Sequence, residues 1–136
     1  MHKVYLFFIF LLFPAIAAAG PSYECEMKAT NRAGWISGKL YFEMVEEKSY
    51  VNVIDGYIYH IYGDTIRAKI VEKTDKRMKF TWDVEGIELS NRRLRVDAAY
   101  TATYYPGEAK LRMRVNLQAM DMAPPTGVGK CKPYEG

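Results

Sequence analysis

Cysteine is nearly absent from this sequence, with two residues in 136. Two thiols exclude a disulfide-dense miniprotein and a four-cysteine zinc site. They stand far apart, at Cys25 and Cys131. With no CxxC motif, dithiol redox chemistry is excluded as well. Histidine is equally scarce. His2 sits at the extreme amino end, which leaves His60 as the one imidazole in the body of the chain. No apolar run after residue 19 approaches the about 20 residues a spanning helix needs. A net charge of +3 is small and gives no indication of a nucleic-acid partner. The chain has 49% hydrophobic and 26% charged residues, with no repeat and no low-complexity tract, which describes one globular domain.

The amino end has the grammar of an export signal. Lys3 forms a short basic region, Val4 to Phe13 is unbroken apolar sequence, Pro14 interrupts it, and AIAAAG follows. Ala17 and Ala19 satisfy the small-x-small rule, so residues 1–19 are predicted to be a signal peptide cleaved after Ala19. The expected product is exported, periplasmic or extracellular, with a single domain over residues 20–136. An oxidising destination favours a Cys25–Cys131 bridge.

Strict alternation dominates the rest of the chain. Apolar Ile66, Ala68 and Ile70 interleave with Arg67 and Lys69; Met78, Phe80, Trp82 and Val84 with Lys79, Thr81 and Asp83. Leu94, Val96, Ala98 and Tyr100 interleave with Arg95, Asp97 and Ala99; Leu111, Met113, Val115 and Leu117 with Arg112, Arg114 and Asn116. The segments around Cys25 and around Phe42 alternate in the same way. Period two with one polar face predicts half-buried antiparallel strands. Asp55-Gly56 is read as a two-residue hairpin, and Tyr57 to Tyr62 as an aromatic strand. Gly63-Asp64, Thr74 to Lys76 and Ser90-Asn91 are read as turns. Pro106-Gly107 is read as a type II turn, and Gly86 as a bulge. No helix is predicted. The expectation is an all-β meander of eight or nine antiparallel strands, with an up-and-down barrel favoured over a sandwich. A terminal disulfide would stitch the closing seam.

Catalytic constellations are thin. No serine stands in a GxSxG elbow that would pair with His60. Glu46-Glu47 and Glu85 with Glu88 read as surface carboxylates rather than an acid–base pair. Met120 and Met122 form an MxM pair, the thioether chemistry that suits Cu(I), but no second cluster joins it. The chain is therefore read as non-enzymatic, with no metal and no cofactor expected.

Charge is more informative. Residues 21–64 carry four basic and seven acidic side chains, and residues 65–136 carry fourteen basic and nine acidic. Arg67 and Lys69, Arg77 and Lys79, Arg93 and Arg95, and Lys110, Arg112 and Arg114 recur at strand spacing. On adjacent strands they would form rows on an outer face and attract an anionic envelope component or an acidic protein. A second expectation is a small apolar ligand held inside the barrel, with Trp82 and Tyr100 in the wall.

Tyr23-x-Cys25 at the start and Gly129-x-Cys131 at the end, around an all-strand middle, resemble short exported bacterial proteins of unassigned activity. Ser37-Gly38-Lys39-Leu40-Tyr41 is similar to the SGxxY motif of bacterial C-type lysozyme inhibitors, which are small periplasmic barrels. It falls earlier in the chain than in that family, and the family's YxxxTKG motif is absent. That likeness implies a third reading, inhibition of a lysozyme-like hydrolase through Ser37 to Tyr41.

Overall fold

The structure is a computed structural model that describes residues 19–31, 34–45, 47–89, 94–118 and 120–135. Residues 1–18 of the predicted signal segment 1–19, together with Glu46, Ser90, Asn91 and Arg93, lie outside the described residues.

Eight strands close into one antiparallel barrel in sequence order. They are β1 (Ala19–Ala29), β2 (Lys39–Val45), β3 (Tyr50–Asp55), β4 (Ile66–Lys73), β5 (Met78–Glu88), β6 (Arg95–Tyr105), β7 (Lys110–Leu117) and β8 (Thr126–Pro133). The cause is the predicted alternation: every second side chain is apolar and points inward, and closure leaves no unpaired edge. Met78, Phe80, Trp82 and Val84 on β5 and Val96, Ala98, Tyr100 and Ala102 on β6 are buried. Cys25 and Cys131 are register partners on β1 and β8, and their sulfurs are bonded across that seam.

The interior is packed ring on ring. Tyr23 and Tyr104 lie against Phe42, at centroid distances of 5.1 Å each, and Phe42 lies 5.3 Å from Phe80. Phe80 lies 5.7 Å from Trp82, and Trp82 lies 5.3 Å from Tyr100. Each well-placed pair adds about 0.5–1.5 kcal/mol beyond its area burial. The small residues of β6 make room: Ala102 is the register partner of Phe80, and Ala98 that of Val84.

Three local expectations are corrected. Residues Gly56–Tyr62 form a helix, α1, instead of a strand. Asp55 is its N-cap and not half of a hairpin turn; its Oδ1 accepts from the Ile58 N–H at 2.9 Å. Gly63, in the left-handed region at φ 72°, ends the helix by donating its N–H to the Tyr59 carbonyl. Ile58 is buried, while Tyr57 and Ile61 pack against the core, a helical rather than an alternating pattern. The aromatic content favoured a strand, but a capping Asp, a closing Gly and burial of one face outweigh that preference. Third, Pro106–Glu108 is a 3-10 turn whose left-handed residue is Ala109, φ 49°, so Gly107 does not play the type II role.

Other expectations agree with the structure. Gly86 has φ 74°, and the β5–β6 register shifts between Val84 and Ile87. Thr74 and Arg77 close the β4–β5 connection through the Thr74 N–H and the Arg77 carbonyl, 2.9 Å.

Candidate functional site

Because the strands are neighbours in sequence order, the outward residues of β4 to β8 line up across the barrel. One row runs Glu72, Lys79, Thr103, Arg112, Val128. The next runs Tyr50, Lys69, Thr81, Thr101, Arg114, Thr126. Threonines of β5 and β6 thus separate the cations. Lys79 and Arg112 lie two strands apart, roughly 10 Å. Thr81, Thr101 and Thr103 fill the surface between them and add hydroxyl donors.

The predicted cations divide by their partners. Arg77 is engaged by Glu72, with Nη2–Oε1 and Nε–Oε1 distances of 2.8 Å. Arg95 pairs with Glu88 at 3.5 Å near the opposite end of β6, where both side chains are about three-quarters exposed. Such an exposed pair contributes little. Arg93 lies outside the described residues. Arg67, Lys69, Lys79, Lys110, Arg112 and Arg114 make no ion pair among the described residues. Arg67 sits 4.5 Å over the Tyr50 ring, and Arg112 sits 5.9 Å over the Tyr105 ring. These stacks orient the guanidinium groups and leave their charge uncompensated. Glu72 is the one carboxylate in the two rows, and Arg77 already occupies it.

Trp82 and Tyr100 are register partners whose rings are nearly parallel, with an interplanar angle of 5°. Both point into the barrel. The Tyr100 hydroxyl donates to the Trp35 carbonyl at 3.1 Å, tying the β1–β2 connection over this end. Burial, reinforced by the nearby Asp55 carboxylate, pushes the Tyr100 phenol far above its ordinary range. Two buried polar atoms, Trp82 Nε1 and Asp55 Oδ2, have no hydrogen-bond partner among the described residues. Burial raises the Asp55 carboxyl, opposed by the N–H groups of Ile58 and Tyr57.

His60 lies on the exposed side of α1. Glu85 and Glu88 are exposed along β5, Glu47 occupies the β2–β3 connection, and Glu46 lies outside the described residues. Met27, Met78 and Met113 are core side chains. Met120 and Met122 flank Asp121 in the connection before β8.

Two features escaped the sequence reading. Asp55 carried a capping signal, with Ile58 and Ile61 at helical spacing and Gly63 behind them. Glu24 is an outward residue of β1 held by Lys39 at 3.0 Å and Lys132 at 3.6 Å, with the Tyr41 hydroxyl at 3.2 Å. The Lys39 hydrogen bond, with help from Lys132, holds its carboxyl below the usual range despite partial desolvation. Only cross-strand register brings those four residues together.

No protein-family model, curated protein or solved structure matches this chain.

Proposed function

We propose that the protein is a non-catalytic exported binding module that engages an anionic partner through the outer face of β5 to β7. One observation carries this reading: Lys79, Arg112 and Arg114 surround a threonine surface, and no carboxylate neutralises them among the described residues. Lys79 and Arg112 on fixed strands are held two strand repeats apart, roughly 10 Å, which suits a polymer or surface with many anionic groups. Threonine hydroxyls between them add donors for phosphate, sulfate or carboxylate oxygens.

The test is binding to vesicles of anionic phospholipid and to a sulfated polysaccharide, with neutral vesicles as control. Affinity should rise as salt is lowered, because exposed charges are screened over about 10 Å at 0.1 M. The triple variant Lys79→Gln, Arg112→Gln, Arg114→Gln should weaken binding at least tenfold. Arg77→Gln, whose charge is already paired, should change it little. Binding indifferent to salt or to the triple variant sinks the proposal.

A second reading, inhibition of a lysozyme-like hydrolase, draws on a separate feature. Ser37, Gly38, Lys39 and Tyr41 share one shallow surface groove with Ile54 and Tyr59. A lysozyme assay with excess protein tests it; unchanged turnover removes this reading.

A further inference from the structure

The outward side of β7 is a ladder of cations. Alternation on this strand buries Leu111, Met113 and Val115 and leaves Lys110, Arg112 and Arg114 pointing out. At about 3.4 Å per residue, successive cations stand roughly 7 Å apart and the ladder is about 14 Å long. Register sets both flanks. On β6 the facing residues are Tyr105, Thr103 and Thr101. On β8 they are Lys130, Val128 and Thr126. No flanking residue is acidic. Lys110 and Lys130 are direct cross-strand partners, a like-charge pairing that is unfavourable by itself and that an anion between them would relieve.

The surrounding carboxylates do not cancel the ladder. Lys110, Arg112, Arg114 and Lys130 make no ion pair among the described residues. One strand further out, the same rows hold Lys79 and Thr81 on β5 and Glu26 and Lys28 on β1. Glu26 stands between Lys130 and Lys39, its register partners on either side, so its charge is outnumbered. Glu72 on β4 is held by Arg77. Glu108, in the turn before Lys110, lines a groove with Lys76 and Arg77 on the side of the β4–β5 connection.

The side chains beside the ladder name the occupant. Attachment to a lipid surface gains from apolar side chains that enter it, and none of the exposed large apolar residues among the described ones lies on β6, β7 or β8. A single-stranded nucleic acid gains from aromatic platforms for its bases. Tyr105 is the one aromatic residue on either flank, and the Arg112 guanidinium sits over its ring. The flanks supply threonine hydroxyls instead. Thr101 and Thr103 point outward, because Tyr100, Ala102 and Tyr104 on the same strand are buried. A hydroxyl both donates and accepts, so it pairs with a neutral sugar hydroxyl as well as with an anion. We infer that the β7 ladder binds one chain of a linear acidic polysaccharide. Its sulfate or carboxylate groups meet Lys110, Arg112 and Arg114, and its sugar hydroxyls meet Thr101 and Thr103. This rests on the basic-face reading and narrows it from anionic partners at large to one polymer along one strand.

The experiment is an amide-resolved NMR titration of the disulfide-bonded protein with a size-defined heparin hexasaccharide. Affinities for polyphosphate and for phosphatidylserine vesicles, anions without sugar hydroxyls, are measured beside it. Saturable shifts should run along β7 at Lys110, Arg112 and Arg114, extend to Thr101 and Thr103, and be absent at Lys69 on β4. At equal anionic charge the hexasaccharide should bind about tenfold tighter than polyphosphate or the vesicles, the gain from two net hydrogen bonds. The Thr101→Val, Thr103→Val double variant keeps every charge and the β-branched shape. It should lose that factor for the hexasaccharide and bind polyphosphate as wild type does. Lys110→Gln should weaken the hexasaccharide about threefold, within the range for an exposed ion pair, and Lys69→Gln should leave it unchanged. Unchanged amide shifts elsewhere in each variant establish that the fold is intact. Polyphosphate or vesicles binding as tightly as the hexasaccharide, or full affinity in the threonine variant, overturns the inference. The basic-face reading then stands if the Lys79, Arg112, Arg114 triple variant still loses binding. Indifference to that triple variant removes both.

Discussion

Tyr100 stacks flat on Trp82, 5.3 Å between centroids, while its hydroxyl holds the Trp35 carbonyl at 3.1 Å. One side chain thus joins the ring column inside the barrel to the connection that covers its end. Removing the hydroxyl and removing the ring are therefore separable losses.

Tyr100→Phe keeps the stack and leaves the Trp35 carbonyl without its donor, at a cost of about 1–2 kcal/mol. Tyr100→Ala removes the ring as well and should cost about 3–5 kcal/mol. Urea denaturation of the two variants measures the difference. Equal losses would mean that the ring contributes nothing beyond its hydroxyl.

Asp55 and Glu24 should move stability in opposite directions with pH. The folded carboxyl of Asp55 is raised by burial above its unfolded value. Its ionised form therefore opposes folding at neutral pH, and stability is gained as pH falls from the folded pKa towards the unfolded one. Asn also caps helices, so Asp55→Asn should abolish that gain and leave α1 formed. Glu24 is lowered by its lysines, so its contribution is present above the unfolded pKa and is lost as pH falls through the folded one. Glu24→Gln should be destabilising at pH 7 and nearly neutral at low pH. Thermal melts between pH 3 and 7 on both variants check the two signs.

The Cys25–Cys131 bridge closes a separation of 106 residues. On the chain-entropy account a loop of that length adds roughly 4–5 kcal/mol by restricting the unfolded chain. The Cys25→Ala, Cys131→Ala double variant should show a correspondingly lower denaturant midpoint. Reduction should shift the wild type to the same midpoint and leave the variant unchanged.

Gly129 faces inward on β8, where an added Cβ would overlap the Glu26 carbonyl and the Met27 sulfur. Gly129→Ala should destabilise by about 1–3 kcal/mol, the usual range for overpacking. Gly38 has open space around it, so Gly38→Ala should be close to neutral. Comparing the two by differential scanning calorimetry isolates packing from the general effect of replacing glycine.

Alternation by itself determined which side chains of β5, β6 and β7 point inward, because period two holds whatever the neighbouring strand is. Cysteines close to the two ends of the domain anticipated the seam, and Gly86 anticipated its bulge, since both are properties of single positions. The tertiary structure decided what depends on pairs. Register set threonines between Lys79 and Arg112, and it placed Glu88 against Arg95 and three residues, Lys39, Tyr41 and Lys132, around Glu24. The short aromatic run Tyr57–Tyr62 reads as a strand from its composition, and burial of Ile58 under the Asp55 cap makes it a helix. The edge-to-face contact of Tyr41 with Tyr134, centroids 4.9 Å apart, joins residues more than ninety positions apart. Only the closed barrel brings them together, because a local pattern specifies the face a side chain takes and not the side chain that will lie beside it.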